Sequence, residues 1–245
     1  MIDPVVRAYV IGQTPRPDLT DDLHERFPSV SFELIGALDG LAPEAIETCI
    51  DCAYPLETRL QDGRRVVVDA SYVAERMQRS FDASPDGVFA HLILCAGPFP
   101  ELGLSLHPTA PVVRPFETAL ETFRRRGLHD LEIVVPFEDQ ASPALEKWSA
   151  AGFSARSHVL TDRPTSEPLA PWLAGRAGNG GADAMVFDYV GFSSDALREI
   201  AARIAIPVFD LGHLALDALQ ELLKVILLLI ISMLLKWVNR MVVRI

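Results

Sequence analysis

Cys95 stands where an apolar run, Leu92-Ile93-Leu94, breaks into Ala96-Gly97-Pro98. Free cysteine is among the most buried residue types and mostly packs as a small hydrophobe. At a strand end, however, the backbone must leave the core, and a thiol there can be turned toward a pocket. So placed, it can carry a proton to or from carbon, provided that cationic neighbours or a helix N-terminus make the thiolate accessible. Arg16 lies between Pro15 and Pro17 and has the fork geometry for a bidentate grip on a carboxylate. Thr14 would add a hydroxyl donor beside it, although a solvent-facing turn is the plainer role for both. Arg59, in YPLETRL, is a second candidate anion ligand, with a cross-strand ion pair as its alternative.

Other chemistry fails on context. Cys49 and Cys52 form C-x-x-C, but no second pair of ligands follows at matched spacing, so they read as helix and loop cysteines and not as a zinc site. The glycine-rich GRAGNGG precedes an apolar run, whereas phosphate-cradling loops follow a strand and open a helix. No histidine pair forms H-E-x-x-H and no serine sits in G-x-S-x-G, so neither zinc hydrolysis nor a serine triad is expected. Metal and cofactor are both expected to be absent.

The elements that must position these residues follow from alternation. Short apolar runs rich in Val, Ile and Phe, as buried parallel strands are, alternate with longer amphipathic stretches, the signal for βαβ units. Strands are expected at 5–11, 30–35, 90–95, 131–135, 153–159, 184–188 and 206–209. Helices are expected at 19–26, 43–49, 71–81, 113–126, 143–151 and 194–205. Asp62-Gly63 between two extended segments predicts a tight hairpin. The fold class is therefore α/β, with two flavodoxin-like parallel-sheet halves and a C-terminal apolar helix. The expected division is 1–105, 106–210 and a helical tail at 211–245, with the break between Pro98 and Pro115. In such sheets ligands bind beyond the carboxyl ends of the strands, which directs attention to GQTPRPD, GALDG, CAGPF, PFEDQ and DYVGF.

Composition narrows the partners. With 49% hydrophobic and 22% charged residues the chain has no disorder signature. A formal charge of −11 and the lack of a basic cluster interleaved with aromatics argue against nucleic acid. Three cysteines fit a reducing compartment better than a disulfide scaffold, and the N-terminus lacks the pattern of a signal peptide, so a cytoplasmic location is expected. The stretch VILLLIISMLL, between Lys224 and Lys236, is short against the roughly 20 residues of a membrane span. Burial in a homo-oligomeric interface is the favoured role for this helix, ahead of contact with a membrane surface.

Taken together, IGQTPRPD, GALDGL, YPLETRLQDG, LILCAGPFPEL, VPFEDQ and MVFDYVGF resemble the AroM family, which is similar to the aspartate/glutamate racemase superfamily. The resemblance implies two flavodoxin-like halves related by approximate two-fold symmetry, with a small-carboxylate site in the cleft between them. Racemases of that superfamily place one thiol on each face of a carbon acid. Cys95 matches the first position. At the second the pattern has Asp-Cys where this chain has Asp188-Tyr189, and a phenol of unperturbed pKa near 10 does not replace a thiolate base. Ala96 stands where the pattern has threonine. The resemblance also promotes Gln140, Tyr189, Gly97 and Gly191 to substrate contact; Gln140 otherwise belongs to a helix start at which Glu138 and Asp139 suit the dipole.

Two expectations result. One is cofactor-free proton transfer at carbon on a small carboxylic acid, isomerase or lyase in type, with Cys95 as the single acid/base and Thr14, Arg16 and Arg59 orienting the substrate. The alternative is a small-carboxylate-binding or regulatory protein without turnover.

Overall fold

Strands that are apolar on both faces have to be covered on both faces, and two of them set the architecture. The strands at Ala90–Ile93 and Ala184–Phe187 are buried at every position. The computed structural model describes residues 3–49, 52–99, 110–163, 165–176, 181–191 and 193–242. Residues 100–109, within the expected break at 98–115, and 177–180, within the glycine-rich run, lie outside the described residues.

The first sheet contains β1 (Val5–Val10), β2 (Ser31–Gly36), β5 (Ala90–Ile93) and β6 (Val112–Val113), in the order β2-β1-β5-β6 and parallel throughout. The second contains β7 (Asp130–Val135), β8 (Ser154–Val159), β9 (Ala184–Phe187) and β10 (Val208–Asp210), in the order β10-β9-β7-β8, also parallel. Counted within each sheet the order is the same, 2-1-3-4, so each has its topological switch point between its first and third strands. Between β2 and β5 an antiparallel hairpin, β3 (Pro55–Arg59) and β4 (Arg65–Asp69), turns through Gly63 at φ 85°, a conformation that a side chain would strain.

Seven α-helices complete the description: α1 (Pro17–Arg26), α2 (Ala70–Asp82), α3 (Pro115–Arg126), α4 (Ala141–Ala150), α5 (Leu169–Ala174), α6 (Ser194–Ala201) and α7 (Leu211–Val242). Their ends follow from local chemistry. Proline opens α1 and α3, Asp69 caps α2 by accepting from Ser71 N–H, and Gly127 ends α3 in the left-handed conformation. Helix α7 serves both sheets. Leu211 and Leu214 join the core around β7 and α3, while Ala215, Leu216 and Leu219 join the core around β1, β5 and α1. No helix among the described residues is long and apolar enough to cross a membrane.

Some elements depart from the sequence reading. The expected helix at 43–49 is one 3-10 turn, Pro43–Ala45, because Cys49 N–H bonds to Val67 O at 3.0 Å and draws the following segment alongside β4. Cys49 and Cys52, read as unpaired, are joined by a disulfide with their Cα atoms 5.8 Å apart. Val113 is strand and not helix, since Pro115 holds Arg114 in an extended conformation. Helix α6 stops at Ala201, ahead of Pro207 and β10.

Candidate active site

The site grows from a glycine. A Cβ on Gly12 would lie 2.3 Å from Arg59 O and 2.4 Å from Thr58 Oγ1, so only glycine lets the loop after β1 touch the hairpin. Gln13 fastens this contact: its N–H donates to Arg59 O at 3.2 Å, its amide donates to Leu38 O and Leu41 O, and its Oε1 accepts from Gln61 N–H. The hairpin is thereby held over the carboxyl ends of the first sheet. From the second sheet's side Gln140 reaches across and donates to Pro55 O at 2.8 Å. Between these walls lies a cleft of about 450 Å³.

Cys95 is at its floor, just past β5. The side chain is 6% exposed and unpaired, and Gly97 N–H points at Sγ from 3.3 Å. Burial pushes the thiol up to about 11; the Gly97 N–H and the Lys147 ammonium oppose the rise, and Asp188 adds to it. At neutral pH the group is a thiol.

Beneath Cys95 runs a buried ion pair. Lys147 Nζ donates to Asp188 Oδ1 at 2.6 Å and to Ala96 O at 2.9 Å, and Trp148 Nε1 donates to Asp188 Oδ2 at 3.0 Å. The Lys147 and Asp188 side chains are 4% and 1% exposed. Lys147 also lies 4.6 Å from the Phe116 ring centroid and 5.7 Å from that of Tyr54, a cationic head enclosed by aromatic faces. One ammonium thus ties the end of β5 to the end of β9. Burial, with Asp188 and Cys95 adding to it, raises the Tyr54 hydroxyl well above its ordinary range.

At the mouth, Arg16 grips Asp18 bidentately at 2.9 and 2.8 Å, and Arg59 approaches the same carboxylate at 3.7 Å. The Arg16 hydrogen bond holds the Asp18 carboxyl below its usual range. The arginines that a small acid would need therefore already hold a carboxylate of the chain. Thr58, in contrast, also lines the cleft, and its Oγ1 is buried with no hydrogen-bond partner among the described residues.

Of the residues chosen from sequence, Cys95, Arg16, Arg59, Gly97, Gln140, Tyr189 and Gly191 all line this cleft. Thr14 does not. Its N–H and hydroxyl both donate to Asp39, at 2.7 and 2.9 Å, and so fix the loop after β1 to the loop after β2. Tyr189 is half-buried and burial lifts its hydroxyl further above 10, away from use as a base. Gly191 takes φ 110°. Sequence reasoning missed Lys147, Tyr54 and Thr58. Lys147 had one readable signal, since it falls on the buried stripe of α4 formed by Ala141, Ala144 and Trp148, where a lysine is out of place unless paired. Among the described residues no group of His, Cys, Asp and Glu is placed to hold a metal ion.

The fold has solved counterparts. Allantoin racemase from Pseudomonas fluorescens superposes with a TM-score of 0.58 at 16% identity, covering 90% of this chain and 91% of its own. Arylmalonate decarboxylase gives a TM-score of 0.55 at 11% identity, covering 89% and 92%. Glutamate racemase from Francisella tularensis in complex with D-glutamate gives 0.51 at 11% identity, covering 91% and 81%. At such identities the likeness is one of fold alone. No curated protein sequence matches the chain. A family model described as AroM protein matches residues 6–223.

Proposed function

The chain belongs to the AroM family, and on that premise we propose that it transfers a proton at carbon on a small carboxylic acid, on one face only, with Cys95 as the acid and without a cofactor. The observation that carries this reading is the unpaired thiol of Cys95 on the floor of a cleft walled by both sheets. Its elevated pKa sets the direction. With a value of about 11, only about one molecule in 10⁴ carries the thiolate at pH 7, so giving a proton is favoured over taking one. Decarboxylation with reprotonation fits this best. The bond to the departing carboxyl breaks, its electron pair remains on the α-carbon as an enolate, carbon dioxide leaves, and the Cys95 proton goes to that carbon. Solvent then restores the thiol. Isomerisation through a similar enolate is the related route.

The surrounding residues have roles in this reading. Arg16 and Arg59 orient a retained carboxylate after displacing Asp18, and the Thr58 hydroxyl donates to substrate oxygen. Lys147 holds the Ala96 carbonyl and so keeps the Cys95–Gly97 turn in place. Two-thiol racemisation is not proposed, because Tyr189 stands where the second thiol would be required.

Solvent deuterium exchange over a panel of malonic, dicarboxylic, hydroxy and amino acids tests the reading. We expect one deuterium in the product of at least one acid and none with Cys95→Ser. A panel that binds without exchange or product overturns catalysis and leaves a second reading, a small-carboxylate-binding module. We also propose that copies pair through α7, where Val225 and Leu228 are 52% and 66% exposed. Removing residues after Leu223 should then give a monomer by light scattering; an unchanged assembly would refute the pairing.

A further inference from the structure

A second cluster lies apart from the cleft, where α6 meets the start of α7. Ser194 Oγ is 2.8 Å from Nε2 of His213, and Nδ1 of His213 is 2.9 Å from Oδ1 of Asp210. The serine is exposed, the histidine is partly covered, and the Asp210 side chain is fully buried. All three line a second cavity of about 270 Å³, which shares no lining residue with the cleft.

Helix capping explains part of this arrangement. Asp210 accepts from His213 N–H at 2.8 Å, as a residue preceding a helix does. It does not explain why the outer ring nitrogen meets a hydroxyl from another helix. The pattern is the division of labour of a serine nucleophile, its base and the carboxylate that orients the base. The chain path is suitable as well, because Ser194 opens a helix soon after β9. The first turn of α6 presents the N–H groups of Ser194 and Asp195, while that of Ala196 is taken by Ser193 Oγ. Such N–H groups are the donors that an oxyanion needs. No elbow motif announces the site in the sequence, because its members come together only in space.

We propose that Ser194, His213 and Asp210 form a second active site, one that hydrolyses small neutral esters. Leu197, Val208, Phe209 and Leu214 give the cavity an apolar side for a short acyl group. The charges at its rim are already paired, Arg198 with Asp195 and Asp217 with Arg26, which disfavours a charged substrate. Ser194 Oγ attacks the ester carbonyl as His213 Nε2 takes the hydroxyl proton. The ester C–O bond then breaks and the leaving alkoxide takes that proton as an alcohol. Water, deprotonated by His213, attacks the acyl carbon; the bond to Ser194 Oγ breaks, His213 returns the proton to Oγ, and a carboxylic acid leaves.

The test is covalent labelling of the full chain with a fluorophosphonate, with the adduct located by peptide mass mapping, beside hydrolysis of p-nitrophenyl acetate. We expect an adduct on Ser194 and a labelling rate at least roughly 100-fold lower in both His213→Ala and His213→Gln. Hydrolysis should be lost in Ser194→Ala and retained in Cys95→Ala, with circular dichroism confirming that each variant is folded. The proposal is overturned if folded protein gives no Ser194 adduct, if labelling is as fast in His213→Gln, or if heat-unfolded chain labels equally well.

Discussion

The ends of β5 and β9 occupy equivalent places in two sheets of the same strand order, yet they are built for different purposes. After β5 come Cys95, Ala96 and Gly97, with a thiol that faces the cleft and accepts only a weak contact from Gly97 N–H. After β9 comes Asp188, whose two carboxylate oxygens are both taken by α4, followed by a tyrosine hydroxyl whose ionisation burial opposes. One strand end leaves its thiol with a single weak contact, and the other ties its carboxylate to α4 through Lys147 and Trp148. Two sheets of one strand order thus end, at equivalent places, in chemically unlike groups.

The comparison can be broken most forcefully at the thiol. Cys95→Ser should lower turnover of any accepted acid by roughly 10²–10⁴-fold with the circular dichroism spectrum unchanged, while Tyr189→Phe should stay within a few-fold of wild type. Equal losses in the two variants would erase the distinction. Next in size is the holding end. Lys147→Met leaves Asp188 buried without its ion partner and should cost about 3–5 kcal/mol in urea unfolding. Lys147→Met combined with Asp188→Asn should recover part of that loss.

A smaller effect follows from proton linkage. In the unfolded chain the Cys95 thiol titrates at about 8.5, whereas in the fold it titrates at about 11. The native state keeps its proton longer, so this contribution to stability is complete below about pH 8.5 and is lost as pH rises toward 11. The loss should be at most about 3–4 kcal/mol and should vanish from the pH profile in Cys95→Ala. Smallest is the mouth. Asp18→Asn frees Arg16 and Arg59 for a ligand, and should tighten binding of a small acid by up to about fivefold in calorimetry.

How much of this was legible in the sequence depended on whether the signal was local. The buried strands announce themselves by composition, and the hairpin by Asp62-Gly63, so the α/β layering could be read directly. That Cys95, Arg16 and Arg59 would line a cleft was legible because strand ends and proline-framed loops mark where backbone leaves a core. The two-residue strand β6 and the six-residue α5 were not, since neither is long enough to show a period. The Lys147–Asp188 pair lies 41 residues apart in sequence, and no local rule links a helix lysine to the end of a strand three elements later. Thr14 misled for the opposite reason. Its neighbours were readable, but its acceptor, Asp39, comes from another loop.

Helix α7 gives these observations an order in time. Its first turns insert Leu211 and Leu214 among the residues of one sheet and Leu216 and Leu219 among those of the other. Because it is translated after every strand, a nascent chain on the ribosome can complete both sheets before it has the brace that sets their spacing. A chain stalled or clipped before Leu211 would therefore lack apolar partners in the cores of both sheets at once.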